Sequence, residues 1–412
     1  AIWLEGKTPF TAALLLEVQR SGAACLCAMA RRRPSASTAC LYVGGFSGLL
    51  LRVLPAIRQS MHTWHIGRAT SRPGHTYFFS IGDFGVVECE KAYKAGDDGR
   101  HGGIGNDKCQ GKEQIDVAEA MAHFAAGLRP AFVLSLGDNF YDRGVKSLDD
   151  AQFRTSFEDV YARHALADVK WKITLGDHDH RGNVTALMAY TQRSPRWELD
   201  APYYSFQVPI PGRSDRHADV VVIDSIGLEG GVDQELHATR RFREDYTDEF
   251  AGPSAGKAQW NWLEKLLEQD ATKFPANAPA VRIIVAHRPV VSNVNRSRTQ
   301  AERWVEKRLR EILKATAAIT PVLFVNGHDH AMQFLQEPGA NLHYIGNGVG
   351  GMDLHSFLPA GDPDAAAEFR WGSSTLGFLV HELGPEALTS YFVDAKTRQV
   401  LHSVALAYAS RR

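Results

Sequence analysis

Five apolar runs in the sequence each end within a few residues of a cluster of Asp, His or Tyr. In chain order they are TYFFSIGD, AFVLSLGDNFYD, VKWKITLGDHDH, RIIVAHRP and PVLFVNGHDH. Their β-branched and aromatic residues are typical of buried strands, and segments with helical spacing lie between them. Strands that alternate with helices predict an α/β fold whose sheets are covered by helices on both faces. Because the carboxyl ends of such strands meet at one edge, the sequence predicts a single site there.

Two of the intervening segments have clear helical patterns. The segment KEQIDVAEAMAHFAAG ends at Gly127, which is a good helix stop. The segment AGKAQWNWLEKLLEQDA places Trp260, Leu263 and Leu266 on one side of a helix. In contrast, the charged stretch from Gly227 to Gly256 has no apolar period. We interpret it as a long loop, and the alternatives are a mobile lid over the site or a solvated insertion.

The titratable clusters indicate a metal site. Charged side chains are costly to bury unless they are paired or bound to a metal ion. A mixture of carboxylates, imidazoles and a phenol suits a pair of transition-metal ions, because oxygen ligands favour ferric iron and imidazoles suit divalent iron, zinc or manganese. Two ions about 3.5–4 Å apart can hold a nucleophile and a phosphate together. The formal net charge of −1 gives no electrostatic reason to expect nucleic acid as a partner.

The first sixty residues differ from the rest of the chain. Arg31–Arg33 precede an apolar stretch, a pattern that resembles a signal peptide or signal anchor. This stretch is short for a membrane span and Arg52 follows it, so we expect no stable span. An unstructured leader, or a true start at Met61, is the alternative interpretation. We therefore divide the chain into a poorly ordered leader at 1–60 and one catalytic domain at 75–410.

Cysteines and sequons give weaker indications of an oxidising compartment. Cys89 and Cys109 bracket a loop rich in Gly, Asp and Lys. A disulfide between them would staple this loop in a secreted protein, and two free thiols are the alternative. Asn183 and Asn295 lie in sequons and are candidate glycosylation sites.

The ordered motifs GDFG, GDNFYDRGV, GDHDHRGN, VAHRP and NGHDHAMQFLQE resemble those of the metallophosphoesterases. Within that superfamily they are most similar to the small, tartrate-resistant purple acid phosphatases, and the similarity extends from Thr76 to Ser403. The segments FEDVYARHAL, RWELDAPYYSF and IGNGVGGMD also fall where that family has similar sequences. The resemblance implies central mixed β-sheets, stacked like a β-sandwich and flanked by helices, with the first residues as an N-terminal extension.

The resemblance also implies a role for each motif residue in a dinuclear centre. One ion would be Fe(III) and the other Fe(II), Zn(II) or Mn(II). The ferric ligands would be Asp83, Asp138, Tyr141 and His330, and those of the second ion Asp138, Asp177, His287 and His328. The bridging ligand would be Asp138, and a metal-bound hydroxide would be the nucleophile. A tyrosinate at Tyr141 would give the purple colour of the family.

The same likeness makes His178 the catalytic residue, either as the proton donor to the leaving alkoxide or as a binder of the phosphoryl oxygens. We predict that Asp179 orients an imidazole and that Asn139 is a hydrogen-bond partner next to the ligands. His180 would face the substrate or lie in an exposed loop. One departure is Asp177, where the family has Asn. Its extra charge should make a bound water less acidic, so we hypothesise a raised pH optimum or an altered second metal.

Together these features predict an acid phosphatase of the secretory pathway, secreted or lysosome-like. Its substrates would be phosphate monoesters, either small molecules or phosphoproteins, and the chain would be a monomer. Two alternatives use the same scaffold, namely a phosphodiesterase and a secreted metal-binding relative with little turnover. The presence of His178 favours an enzyme, because a metal-binding protein has no need of a proton donor at that place.

Overall fold

The computed structural model describes residues 66–86, 111–230, 249–272 and 279–408, together with the backbone of three earlier strands. The chain divides into two compact units, Ala1–Trp64 and His65–Arg412. The strands of the first unit form an antiparallel sheet in the order β1 (Ala12–Val18), β2 (Ala24–Ala30) and β3 (Thr38–Tyr42). The rest of the predicted leader and the loop between Cys89 and Cys109 lie outside the described residues. The poorly ordered leader and the disulfide between Cys89 and Cys109 therefore stay predictions.

The second unit contains two seven-stranded sheets. Its earlier strands are β4 (Thr76–Ile81), β5 (Phe132–Ser135), β6 (Lys170–Lys172), β7 (Trp197–Glu198), β8 (Tyr204–Ile210), β9 (Arg213–Val222) and β10 (Val281–Val285). The later ones are β11 (Val322–Asn326), β12 (Met332–Gln336), β13 (Leu342–Asn347), β14 (Phe369–Ser373), β15 (Gly377–Leu383), β16 (Ala387–Asp394) and β17 (Val400–Ala407). Sheet 1 has the order β17-β16-β15-β4-β5-β6-β7, and sheet 2 has the order β14-β12-β13-β11-β10-β9-β8.

Both sheets are mixed. In sheet 1 the strands β4, β5, β6 and β7 run parallel, and in sheet 2 the strands β9, β10, β11 and β13 do so. The other pairs are antiparallel. Almost every residue of the central strands β4, β5, β10 and β11 is buried, which explains why their sequences are continuous apolar runs. The predicted fold of mixed sheets flanked by helices is confirmed.

The described helices of the second unit are α1 (Gly111–Leu128), α2 (Asp159–Tyr161), α3 (Asp177–His180), α4 (Val184–Ala189), α5 (Ser225–Gly230), α6 (Pro253–Thr272) and α7 (Gln300–Ala317). A π-helical segment, Phe153–Glu158, leads into α2. The helices α1 and α6 confirm the two clearest helical patterns. Trp260 and Leu263 of α6 are buried, and the partly buried Leu266 packs against the same apolar cluster.

Apolar side chains form a core between the two sheets and a further core on the outer face of each. Phe78 lies in the central core, whereas its neighbour Phe79 packs with α1 on the outer face of sheet 1. In sheet 2, Val222 lies in the central core and Val221 lies in the outer core, which also includes residues of α6 and α7. Successive side chains of a strand point to opposite faces, so each central strand connects two cores.

The interpretation of Gly227–Gly256 as one long loop is wrong at both ends. All residues of α5 are buried, and α6 already begins at Pro253. Trp260 Nε1 donates a hydrogen bond to Leu228 O at 3.0 Å, which ties α6 to α5. Because α5 is a single buried turn and a half, it is too short to show a helical period in the sequence. Residues 231–248 lie outside the described residues, so a lid there stays a prediction.

A buried histidine in sheet 1 predicts acid sensitivity of the fold. His381 stacks on Phe78, and its ring nitrogens lie 2.9 Å from Ser80 Oγ and 2.8 Å from Ser390 Oγ. Burial lowers the pKa of His381 to about 3. The unfolded chain takes up this proton near pH 6.5 and the folded chain does not, so stability is full above that pH and falls as the pH drops toward 3.

We expect His381→Gln to remove this loss, because glutamine does not titrate. Between pH 7.5 and pH 5 the histidine should cost the parent protein about 2 kcal/mol of unfolding free energy, and the variant should lose that much less. Urea unfolding of both proteins at the two pH values measures the difference. An equal loss in parent and variant would show that His381 is not the group responsible.

Candidate metal centre

The predicted ligands lie where the parallel strands end. In sheet 1, Asp83 follows β4, Asp138 follows β5, and Asp177 follows β6. In sheet 2, His287 follows β10 and His328 follows β11. The strands β4, β5 and β6 are neighbours, as are β10 and β11. Their carboxyl ends meet at one edge of the sandwich, as expected for a site in a sheet of this kind.

A continuous set of contacts joins the ligands of the two sheets. Tyr141 Oη lies 3.1 Å from Asp83 Oδ1 and 3.0 Å from Asp138 Oδ2. The same Asp83 Oδ1 lies 3.2 Å from His330 Nε2. On the other side, Asp138 Oδ2 lies 3.3 Å from His287 Nε2. Side chains from distant parts of the sequence therefore meet in one cluster.

The half of the cluster around Asp177 is tight. One ligand atom from each of Asp138, Asp177, His287 and His328 lies within 4.8 Å of the others. Asp177 Oδ1 is 3.1 Å from His287 Nε2 and 2.9 Å from His328 Nδ1. The two imidazoles approach to 3.2 Å between His287 Nε2 and His328 Nδ1. This is the mixture of ligand atoms that a divalent transition metal binds.

Backbone carbonyls fix the tautomers of two imidazoles. His287 Nδ1 is 2.8 Å from Leu136 O, and His330 Nδ1 is 2.7 Å from Asp353 O. A carbonyl oxygen only accepts, so each Nδ1 carries a hydrogen and each Nε2 offers a lone pair to the cluster. Metal-binding histidines are held in this way.

The buried charge of the cluster also fits metal ions. Asp83, Asp138 and Asp177 are 0%, 2% and 4% exposed, and such carboxylates are costly to bury without cations. Burial, together with the Asp138 and Asp83 carboxylates, raises the pKa of Tyr141 well above its usual value. A tyrosinate therefore requires a strong Lewis acid at this place. The donor set therefore fits a pair of metal ions.

Several ligand residues have unusual backbone conformations. The φ angles of Asp83, Asp138 and His328 are +60°, +50° and +64°, in the left-handed region. Strain of this kind clusters at functional sites. The backbone also holds the carboxylates, since His328 N donates to Asp83 Oδ2 at 3.0 Å and His178 N donates to Asp138 Oδ1 at 2.8 Å.

The close approach of two loops predicts that position 176 must be glycine. A Cβ added to Gly176 would overlap the carboxylate and the backbone nitrogen of Asp138. We expect Gly176→Ala to displace Asp138 and lower kcat/KM about 100-fold, because a misplacement near 1 Å is enough for such a loss. Metal content should fall with it. Gly67→Ala is the matched control, because nothing lies within 4 Å of the Cβ it adds; an equally small effect of both variants would contradict the prediction.

His178 lies at the mouth of the cluster. Its Nδ1 is 3.2 Å from Asp142 Oδ1, and its Nε2 is 3.9 Å from an oxygen of Asp138 and 3.9 Å from one of Asp177. The ring centre is 4.4 Å from that of Tyr141, and the side chain is 12% exposed. Burial opposes a charged ring, but the Asp138 charge and the contact with Asp142 outweigh it and raise the pKa of His178.

The side chains of Asp179 and Asn139 are hydrogen-bonded to each other. The Asp179 carboxylate accepts hydrogen bonds from Gly176 N at 2.9 Å, Asn139 N at 3.1 Å and Asn139 Nδ2 at 2.7 Å. Burial and the Asp138 charge raise the pKa of Asp179 to about 7. The pair joins the loops after β5 and β6 beneath the ligands. The carboxylate placed to orient the imidazole of His178 is that of Asp142, whose Oδ1 lies 3.2 Å from His178 Nδ1.

His180 is also placed differently from the prediction. Its side chain is completely buried, and its Nε2 lies 3.1 Å from both carboxylate oxygens of Asp224. Asp224 Oδ1 in turn accepts hydrogen bonds from Ile226 N and Gly227 N at the start of α5. A substrate-facing or exposed-loop position is therefore wrong for His180, because the imidazole pairs with the carboxylate that begins α5.

Sequence analysis missed three further neighbours of the centre. Arg181 Nη2 lies 3.0 Å from Asp177 Oδ2. His355 stacks on His330 with ring centres 4.3 Å apart, and its Nδ1 accepts a hydrogen bond from His330 N at 3.1 Å. Asp142 is the third. The i,i+4 spacing of Asp177, at the start of α3, and Arg181, directly after its end, is a signal that could have identified the arginine.

The fold and the buried cluster together define a metal-dependent hydrolase of phosphoesters. The sequence profile described as calcineurin-like phosphoesterase matches residues 81–332. The chain therefore belongs to the calcineurin-like phosphoesterase family, and within it its relatives include purple acid phosphatases. Such relatives imply a dinuclear metal centre, and the cluster of Asp and His side chains fits one.

Curated relatives and a solved structure support this membership. Tartrate-resistant acid phosphatase type 5 of Mus musculus is 31% identical over 305 residues, which cover 73% of this chain and 86% of that protein. Purple acid phosphatase 4 of Arabidopsis thaliana is 25% identical over 346 residues, or 84% of this chain and 87% of that protein. The structure of GAP50, the anchor in the inner membrane complex of Plasmodium, has a TM-score of 0.62 at 22% identity, with coverage of 82% and 90%. The last likeness concerns the fold alone.

Within the part of the chain that the structure describes, no helix combines the length and the apolar character that crossing a membrane requires.

Proposed function

We propose that the protein hydrolyses phosphate monoesters, as an acid phosphatase, at this cluster. The observation that carries the proposal is the convergence of metal-binding side chains from both sheets next to the partly exposed imidazole of His178. A structural metal site has no use for a titratable side chain at its mouth, whereas cleavage of a phosphoester needs a proton for the leaving oxygen. The names of the mouse and Arabidopsis relatives agree with this reaction.

In the proposed centre one ion is Fe(III) and the other is Fe(II), Zn(II) or Mn(II). The ferric ligands are Asp83, Asp138, Tyr141 and His330, and the ligands of the divalent ion are Asp138, Asp177, His287 and His328. This division is supported by the contacts of Asp83 with Tyr141 and His330 on one side. When bound, two such ions polarise the phosphoryl group and lower the pKa of a water molecule between them and the substrate.

His178 is proposed to protonate the leaving oxygen or to bind the phosphoryl oxygens. Asp142 fixes the ring through Nδ1, which leaves Nε2 on the side of the metal ligands. The carboxylates raise the pKa of His178 above its usual value, so that its protonated fraction grows as the pH falls. This sign suits catalysis in acid, where a general acid must hold its proton.

Metal analysis and a visible absorption spectrum of the purified protein test the proposal. We expect two metal ions per chain and a broad absorption band that disappears in Tyr141→Phe. We also expect turnover of p-nitrophenyl phosphate at acid pH and much slower turnover of bis(p-nitrophenyl) phosphate. Preference for the diester would favour a phosphodiesterase. Two bound metals without turnover of either ester would favour a metal-binding relative.

We further propose that the protein is a monomer of the secretory pathway, secreted or lysosome-like, and carries glycans. Asn183 and Asn295 are exposed, which is compatible with modification at both sequons. Asn183 also caps α4, where its side chain accepts a hydrogen bond from Ala186 N at 2.9 Å. A fall in mass after treatment with an N-glycosidase, in protein from a eukaryotic host, tests this proposal.

A further inference from the structure

The two carboxylate oxygens of Asp177 have different partners. Its Oδ1 points into the cluster, 3.1 Å from His287 Nε2 and 2.9 Å from His328 Nδ1. Its Oδ2 points outward and lies 3.0 Å from Nη2 of Arg181, which is four residues later in the chain and directly follows the short helix α3. The Arg181 side chain is 28% exposed, so it lies at the edge of the site and reaches solvent.

Arg181 suits a carboxylate at position 177 and does not suit an amide. A guanidinium group only donates hydrogen bonds, and Oδ2 of Asp177 only accepts them. If position 177 were Asn, one of its two terminal atoms would be an NH₂ group. Either this group would face the donors of Arg181, or the amide would turn and withdraw its oxygen from the cluster. The arginine therefore selects which atom of residue 177 faces the metals.

The pair also balances charge. Asp177 adds one negative charge at a position where the family that the motifs resemble has Asn, and Arg181 adds one positive charge in direct contact with it. A second contact extends toward the substrate side, since Arg181 Nη1 lies 3.1 Å from His178 Nδ1 and 3.2 Å from His178 Nε2. The guanidinium group therefore adds positive charge next to His178, on the side where phosphate is proposed to bind.

We propose that Arg181 is a positioning residue for Asp177. We also propose that its positive charge compensates for the negative charge that Asp177 adds to the centre. This inference rests on the proposed function, because it assumes metal ligation by Asp177 and phosphate as the ligand. The ion pair holds Oδ1 of Asp177 toward the cluster and keeps the phosphate side of the site as positive as it would be with a neutral ligand. The two residues therefore act as a unit.

A double-mutant cycle with Asp177→Asn, Arg181→Leu and the double variant tests the proposal. Calorimetric titration with inorganic phosphate gives the affinity, and metal analysis after dialysis against a chelator gives retention of the ions. We expect Arg181→Leu to weaken phosphate binding about tenfold, because one nearby charge is lost. Asp177→Asn should lose metal more readily than the parent, and the double variant should approach the parent in both measurements.

Arg143→Leu is the matched control, because Arg143 is an exposed arginine whose charge acts on Asp142. It should change phosphate affinity much less than Arg181→Leu. A double variant that binds phosphate as weakly as Arg181→Leu would overturn the inference, since a merely structural arginine gives no compensation. If the parent protein binds neither two metals nor phosphate, the proposed function fails; if it binds both and Arg181→Leu has no effect, only the inference fails.

Discussion

Replacement of Asp138 by Asn is expected to leave the protein folded, remove metal from the centre and lower kcat/KM by about 10³-fold or more. The side chain lies between the two halves of the cluster. Its Oδ2 is 3.0 Å from Tyr141 Oη and 3.3 Å from His287 Nε2. No other carboxylate among the described residues contacts both of these groups. We therefore expect the Asp138 carboxylate to bind both proposed ions.

The fold should tolerate this substitution for local reasons. The φ angle of Asp138 is +50°, a region that Asn adopts readily. The carbonyl oxygen of Asn can still accept the hydrogen bond that His178 N donates to Asp138 Oδ1 at 2.8 Å. The substitution therefore changes charge and coordination, and not the shape of the loop. Loss of Lewis acidity worth several kcal/mol corresponds to the expected loss in rate.

Metal analysis, the unfolding midpoint and kcat/KM with p-nitrophenyl phosphate measure the outcome together. Asp149→Asn is the control, because Asp149 is an 80% exposed carboxylate in the segment that follows the same strand. It should keep two metals and the activity of the parent. If Asp138→Asn retained both ions and most of its activity, the bridging role of this carboxylate would be excluded.

Most of the fold and of the metal centre could be predicted from one pattern in the sequence, namely apolar strands that end in Asp, His or Tyr. Central strands buried on both faces have to be apolar, and the loops that follow them have to bear the polar groups of the site. Asp83, Asp138, His287 and His328 could be found on this basis, since each follows a buried strand within a few residues. The short strand β6 and the buried helix α5 were harder, because neither is long enough to show a period.

Neighbours of the centre were predicted less well for a physical reason. In the sequence GDHDH, the four residues after the glycine are all titratable, but the short helix α3 turns their side chains in different directions. His178 comes to the mouth, Asp179 points down to Asn139, and His180 is buried against Asp224. Partners such as Asp142 and Asp224 come from other loops, so local sequence contains no sign of them.

Replacement of His178 by Gln is expected to lower kcat for an alkyl phosphate by about 10²- to 10⁴-fold, the usual range for a general acid. Its Nδ1 is held 3.2 Å from Asp142 Oδ1, so Nε2 is the nitrogen that faces the ligands of the proposed metals. Metal content should be unchanged, because no proposed ligand is removed. Loss of metal in this variant would mean that the ring supports the centre and not the reaction.

The two proposed roles of His178 differ in how the loss depends on the leaving group. A proton donor matters little for p-nitrophenolate, a weak base, and much for an alkoxide, so the loss should be far greater with an alkyl phosphate than with p-nitrophenyl phosphate. A phosphate binder should produce similar losses with both esters. Asp142→Asn tests whether the protonated ring is needed, because it removes a carboxylate that raises the pKa of His178. In either role Nε2 carries a hydrogen only in the protonated ring, so the alkaline limb of the kcat profile should move toward acid, and a limb that stays in place would contradict both roles.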